Sequence, residues 1–229
     1  MIRGAPIGKR FEHCAFDNFD VTDENRDAVE ACKRVVETGE TGVLIRGKHG
    51  LGKTHLLVAM MREYDRRYSV IPRGQSVEAG MIAAASVSEI IRAAEDEIDE
   101  SNEAPALSPD EIEQQAHVEY WPMLDLTSEL RSDIAHGSQD TSRRCRECDL
   151  LVLDDFGAER ATEFVLEELE RIVDWRYRTM KLMAIATNLL SFQAIIAKYG
   201  SRAFSRWMGS CIAVAIGGED RRAVMGPEL

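Results

Sequence analysis

The sequence predicts an α/β protein in which a central parallel sheet is covered by helices on both faces. Three observations lead there. Short apolar runs alternate along the chain with longer amphipathic ones. The apolar runs are nearly continuous, as in strands buried on both faces, instead of alternating with polar residues. A glycine-rich turn joins the first apolar run to a helix. With 229 residues, one domain over 1–229 is expected, large enough to bury a substantial core.

The elements follow in order. "TDENRDAVEACKRVVETG" (22–39) has helical spacing, with Thr22 as the expected N-cap and Gly39 as the stop. "TGVLIRG" (41–47) is a short β-branched run ending in glycine, and so a buried strand. "KTHLLVAMMREYDRRY" (53–68) places Leu56, Leu57, Met60 and Met61 on one helical face. "VEYWPMLDL" (118–126) reads as a strand whose proline argues for an edge or an irregular start, and "TSELRSDIAH" begins a helix. "CDLLVLDDFG" (148–157) is an apolar strand ending in two aspartates, followed by an amphipathic helix over 161–180. "KLMAIATN" (181–188) is another buried strand, "SFQAIIAKYGSRAFSRWMG" is helical, and "CIAVAIGG" is a last strand. A strand–helix–strand unit needs only ~30 residues or slightly more, so the stretch 69–117 reads as an insertion, acidic and partly helical, with helices near 86–99 and from "SPDEIEQQ".

Charge is unevenly spread. Ten acids and one base lie between Arg92 and Tyr120, which accounts for −9 of the formal net charge of −12. The remainder is nearly balanced, so overall acidity does not exclude nucleic acid, and "SRRCR" and the C-terminal arginines are candidate phosphate contacts. The acidic stretch itself suits a basic protein surface better than DNA. Five scattered cysteines do not make a disulfide framework. Cys145 and Cys148 form a single CxxC, which lacks the second pair of a tetrahedral zinc site and reads as two thiols entering a buried strand. No apolar run approaches the ~18–20 residues of a membrane span and no signal-peptide core is visible, so a cytoplasmic protein without membrane contact is expected.

The strongest motif is Gly47, Lys48, His49, Gly50, Leu51, Gly52, Lys53 and Thr54, which fits G-x-x-x-x-G-K-[ST] at every fixed position. Glycines let main-chain N–H groups turn inward around an anion, and the helix that starts at Lys53 points its positive end at the same place. Lys53 reaches the outer phosphates and the Thr54 hydroxyl coordinates Mg²⁺. His55, next along the helix, is counted with the nucleotide-binding set. A triphosphate with Mg²⁺ needs a carboxylate on a neighbouring strand. Asp154 is placed to hold the metal, and Asp155 beside it to polarise the attacking water. Asp155 acting only as a turn cap is the alternative, and Glu159 is a fallback base. The chain has "ATNLL" where a GTPase would need N-K-x-D, and no arginine-rich kinase lid follows the acidic strand.

Gly47–Thr54, "LLVLDDFGAER", "ATNLL", "YGSRAFSRW" and "GGEDRR" stand in the order found in AAA+ ATPases, and the chain resembles the DnaC/DnaI/IstB group of helicase loaders and transposition helpers. "FDNFDVTDENRDAV" (16–29) also resembles that group's segment before the first strand. The resemblance covers roughly residues 10–68 and 118–222. It implies a P-loop NTPase (AAA+) three-layer fold with a minimal or absent C-terminal lid, ATP and Mg²⁺ as cofactors, and hydrolysis of ATP. It further implies that Asn188 is a sensor near the γ-phosphate and the lytic water. Arg206 is a finger reaching a neighbouring subunit's nucleotide, with Arg202 as its competitor on the same helix face. Arg222 is a second sensor in cis, with Arg221 as its rival, and Phe16 and Phe19 line the adenine pocket. Implied partners are single-stranded DNA, a replicative helicase or a transposase, and further copies of the chain in a ring or spiral. Three readings follow: a DnaC-like helicase loader, an IstB-like transposition helper, and a nucleotide-dependent switch or scaffold without turnover.

Overall fold

The computed structural model describes residues 1–69, 116–160 and 162–221. Nearly all of the acidic insertion, with its two expected helices, lies outside them. The described chain runs β1 (Ile2–Gly4), α1 (Arg26–Thr38), β2 (Gly42–Arg46), α2 (Lys53–Tyr68), β3 (Val118–Pro122), α3 (Met123–Ala135), α4 (Asp140–Glu147), β4 (Leu150–Phe156), α5 (Glu163–Arg178), β5 (Leu182–Thr187), α6 (Phe192–Tyr199), α7 (Ser201–Ser210) and β6 (Cys211–Ala215). The six strands form one sheet in the order β1-β3-β4-β5-β2-β6, with every described pair parallel. This is the three-layer α/β architecture expected from the sequence.

Side-chain alternation divides the core into two layers. Val43 and Ile45, Val118 and Tyr120, Leu150 and Val152, and Ala184 and Ala186 pack with α1 and α2 on one face. Leu44, Trp121, Leu151 and Leu153, and Met183 and Ile185 pack with α3, α5 and α7 on the other. Because both sets are apolar, each strand reads as a continuous run.

Several local expectations change. Helix α1 starts at Arg26, not after Thr22. Its N-cap is Asn25, whose side-chain oxygen accepts from the Thr22 amide at 2.9 Å and so closes a turn ahead of the helix. Gly39 ends it in the left-handed region, as expected. Strand β3 stops at Pro122, and α3 begins at Met123, inside the segment assigned to the strand. The strand is not at an edge. Proline fits because it is the last strand residue and precedes a helix, where a missing N–H costs nothing. The edge belongs to β1, three residues at the N-terminus that carry too little pattern to be seen.

The thiols of the CxxC do not enter a strand. Cys145 lies in α4 and Cys148 caps it, and all five cysteines are buried and free. Among the described residues no group of three or more His, Cys, Asp or Glu is placed to hold a metal. What fills this corner is Arg176, wholly buried on α5. Its guanidinium donates to the carbonyls of Cys145 (2.8 Å), Arg146 (3.0 Å), Cys148 (2.9 Å), Asp149 (3.3 Å) and Leu182. Arg176 continues the buried stripe Val165, Leu169, Ile172, Val173 at helical spacing. Replacing it by methionine keeps the stem but takes the guanidinium donor away from these carbonyls. Arg176→Met is expected to lower the unfolding free energy by about 3–5 kcal/mol, read as a lower urea midpoint at unchanged slope.

Candidate nucleotide-binding site

Strand β2 ends at Arg46, and the chain turns through Gly47–Gly52 into α2. Gly50 and Gly52 take φ of +78° and +90°, a region where a side chain is strained. Space forbids one as well. A Cβ on Gly50 would lie 1.8 Å from the Asp220 carboxylate, and one on Gly52 would lie 2.8 Å from the Phe19 ring. No side chain caps the N-terminus of α2, where Gly52 stands at the N-cap. Its first N–H groups therefore face the loop with the positive end of the helix dipole behind them.

Lys53 is buried, and its ammonium lies within the loop. Nζ donates to the carbonyls of Gly47 (2.9 Å) and Lys48 (2.6 Å) and to Oδ1 of Asn188 (2.7 Å), beyond the end of β5. Asn188 in turn donates from Nδ2 to Oδ1 of Asp155 at 3.1 Å. Thr54 donates to the buried Asp154 carboxylate, which also accepts from the Tyr120 hydroxyl (3.2 Å) and the Asp155 amide (2.9 Å). Four of the expected site elements thus converge at the tips of β2, β4 and β5. They are the glycine loop, Lys53–Thr54, Asp154–Asp155 and Asn188.

The aspartates owe their separation to a β-bulge. Leu153 pairs with Ile185 but Phe156 pairs with Thr187, so β4 holds one residue more than β5 over this step. Leu150 and Val152 face α1 and α2, and Asp154 bonds to Tyr120 and Thr54 on that same side. Regular alternation would put Phe156 there too, yet Phe156 packs in the opposite layer with Leu151 and Leu153. Asp155 is the extra residue, exposed, at φ +49°. The result is one buried carboxylate and one open carboxylate on adjacent residues.

Burial, and then the charge of Asp155, push the Asp154 carboxyl above its ordinary pKa, against the hydrogen bonds from Thr54, the Asp155 amide and Tyr120. One carboxylate and one hydroxyl suit Mg²⁺, which keeps most of its shell for water and phosphate oxygens instead of a protein cage. The glycine cradle and this donor pair fit a Mg²⁺-bound nucleoside polyphosphate.

The other expected residues are distributed unevenly. Phe19 is buried beside the loop, its edge on the His55 ring (centroids 5.1 Å) and its face under the Arg221 guanidinium (4.2 Å). His55 sits 2.9 Å from the Ala15 carbonyl, and burial lowers its pKa below the usual histidine range. Lys48 and His49 are exposed on the loop, and Leu51 is buried beneath it. Phe16 does not join Phe19. It faces a groove of about 500 Å³ that also includes Lys33 and Arg62. Arg206 and Arg202 are on α7 and meet acids of α5. Arg206 pairs with Asp174 at 2.5 Å, and Arg202 lies 3.4 Å from Glu170 with its side chain mostly exposed. Arg222 lies outside the described residues. Glu159 is no fallback base, because its carboxylate is wholly buried and ion-paired with Lys198 at 3.1 Å. The "SRRCR" arginines are also engaged. Arg144 forks onto buried Glu119, itself one of the ten acids counted in the sequence, and Arg143 pairs with Asp140.

The sheet and its glycine loop have the form of the P-loop NTPase fold, and the comparisons agree on that fold. A family model, the bacterial DnaA ATPase domain, matches residues 11–98. The crystal structure of the DnaC helicase loader superposes with a TM-score of 0.65 at 18% identity, over 91% of this chain and 99% of that one. A replication initiator DnaA bound to AMPPCP and single-stranded DNA superposes with a TM-score of 0.62 at 21% identity, over 91% of this chain and 51% of that one. The fold is that of the AAA+ ATPases, and the chain is similar to the DnaC/DnaI-like members. The uncharacterized protein YdaV of Escherichia coli strain K12 is 26% identical over 197 residues, 84% of this chain and 61% of YdaV. The chain therefore spans only part of the length of these DnaA and YdaV relatives.

A raised folded-state pKa means that the fold takes up a proton more readily than the unfolded chain does. The Asp154 contribution is then favourable below the unfolded pKa and is lost as pH rises through the folded one. Asp154→Asn is expected to melt at a higher temperature than the wild type at pH 7 without metal or nucleotide. The gain should vanish below about pH 4. Thermal melts of both proteins across pH check this.

Proposed function

We propose that the protein binds and hydrolyses ATP with Mg²⁺, as a DnaC-like AAA+ protein that works as an oligomer with a replicative helicase and single-stranded DNA. The observation that carries the ATPase reading is the hydrogen-bonded line Lys53–Asn188–Asp155 beside the Thr54–Asp154 pair. In that line a cation, a polar amide and an open carboxylate stand together beside the glycine loop, which supports the reading.

The residues divide the work. Main-chain amides of the loop and of the first turn of α2 receive the phosphates. Lys53 exchanges loop carbonyls for phosphate oxygens, an exchange that leaves the ammonium satisfied throughout. Thr54 and Asp154 would hold Mg²⁺, which supplies charge neutralisation on the phosphate oxygens. Asp155 accepts a hydrogen bond from the attacking water, and Asn188 orients that carboxylate. Phe19 and His55 wall the side of the loop where the base is received, and Arg222 acts as the second sensor.

Arg202 and Arg206 lie on α7, paired with Glu170 and Asp174 of the same chain. A finger acting in trans would leave these pairs for a neighbour's nucleotide, and such arginines are worth ~10³–10⁵ in rate. The mostly exposed Arg202 needs less rearrangement than the largely shielded Arg206. The replication setting is supported by the likeness to the DnaC helicase loader and to the DnaA that was bound to AMPPCP and single-stranded DNA.

Three outcomes test the reading. Lys53→Ala is expected to weaken Mg-ATP binding about 10- to 100-fold by calorimetry, the value of a lost charge-assisted hydrogen bond. Asp155→Asn is expected to bind Mg-ATP normally and to lose about 10²–10⁴-fold in turnover. Specific ATPase activity is expected to rise with protein concentration and with single-stranded DNA. A specific rate that stays flat over both removes the oligomer.

A further inference from the structure

A left-handed Asp155 persists only if its surroundings over-determine it, since the conformation costs of order 1–3 kcal/mol. On one side the bulge is held by β5. The Thr187 hydroxyl donates to the Phe156 carbonyl at 2.5 Å, and Asn188 reaches Asp155. The other side is held by a residue with no place in the chemistry above. The Glu159 carboxylate accepts from the Gly157 amide at 3.0 Å, two residues after Asp155, and from the Tyr199 hydroxyl. It also pairs with Lys198, whose ammonium donates onward to the carbonyls of Gly157 and Glu159. The loop 157–159 is thereby wrapped around one ammonium. Phe156 completes the attachment. It stacks on Tyr199 (4.3 Å between centroids) and stands edge-on to Trp207 of α7 (4.9 Å).

We propose that Glu159 is a positioning residue: tied to Lys198 and Tyr199 of α6, it holds the Asp155 bulge in its reactive place and links it to α7, the helix that carries Arg202 and Arg206. The charge has a reason. Glu159 is fully buried, and an uncharged side chain could not satisfy the Lys198 ammonium, the Tyr199 hydroxyl and the Gly157 amide together. The link is short. Tyr199 is separated from the first residue of α7 only by Gly200, which turns at φ +85°. A displacement of α7, such as an arginine leaving α5 for a neighbouring subunit, therefore pulls on the loop that sets Asp155. The positioning role rests on the ATPase reading, and its test has one arm that does not.

Glu159→Ala is expected to reduce turnover about 10- to 100-fold, the cost of a small misplacement near the reacting atoms, with Mg-ATP affinity within about threefold of wild type. Glu159→Gln, which keeps the shape and an acceptor for Gly157, is expected to fall between them. Tyr199→Phe removes one bond and gives a smaller loss. If Glu159→Ala does not fold, the Gln and Phe variants carry the same comparison. In the second arm, amide exchange of peptides covering 154–159 is expected to speed up at least about tenfold in the Glu159 variant, while those covering 48–55 are unchanged. The proposal is overturned by turnover within twofold of wild type, by affinity that falls in step with turnover, or by unchanged exchange at 154–159. A wild type that binds ATP without turning it over sinks the ATPase reading instead. Exchange then decides alone whether Glu159 holds the bulge.

Discussion

A buried ammonium must be satisfied wherever it goes, and the Lys53 ammonium organises everything around it. Two of its bonds are to carbonyls of its own loop, so the glycines have to curl that loop inward. The third is to Asn188, which ties the loop to the tip of β5. Asn188 then reaches Asp155 on β4. One cation thus brings three strand tips into a common geometry. The parallel sheet makes this possible, because it places the carboxyl ends of β2, β4 and β5 on one edge, where ligands of open α/β sheets are received. Exchanging loop carbonyls for phosphate oxygens changes the partners of Lys53 but not the need for them, so little rearrangement opposes the exchange.

The bulge in β4 solves a second problem. Two adjacent carboxylates on a regular strand point to opposite faces, and in this sheet both faces are apolar. One of them would be driven into the layer of Leu151 and Leu153. The extra residue lets Asp155 leave the sheet at its edge and hands Phe156 to that layer in its place. The arrangement separates the two acids electrostatically as well. Asp154 is desolvated and holds a donor set suited to a metal, while Asp155 remains open to water. The cost is a strained backbone at Asp155, which explains why so many bonds converge on the four residues after it.

What the sequence made legible follows from how local each signal is. The phosphate loop is written in consecutive residues, and its flanking strand and helix are long and patterned, so Gly47–Thr54 could be placed outright. Asp154 and Asp155 were visible as a pair at a strand end, but their division of labour depends on an insertion relative to β5, which no single strand reveals. Within the amphipathic helix expected over 161–180, Arg176 follows Val165, Leu169, Ile172 and Val173 on the buried face, where composition alone would not put an arginine. An arginine at a core position signals carbonyls that need a donor. Helix α4 was missed because "DTSRRCRE" has almost no apolar pattern, and its buried contact runs through Arg144 to Glu119, two residues that sequence alone assigns to solvent. Phe16 and Phe19 are three residues apart and chemically alike, and only the turn between them sends one to the loop and the other to a groove.

The same logic bears on α7. Arg206 is largely shielded and paired with Asp174, and one of its nitrogens is buried without a hydrogen bond. Its electrostatic partners are within the chain, and leaving them exposes two acids of α5. Arg202, four residues earlier, is already turned to solvent and only loosely near Glu170. If a neighbour's phosphates compete for an arginine of this helix, the difference in what each must abandon favours Arg202 energetically. Engaging Arg206 would instead require α7 to shift against α5. Such a shift would be felt at Trp207, which packs against both Phe156 and Tyr199. The two arginines therefore imply different mechanics: one extends a side chain, and the other moves a helix joined to the loop that carries Asp155.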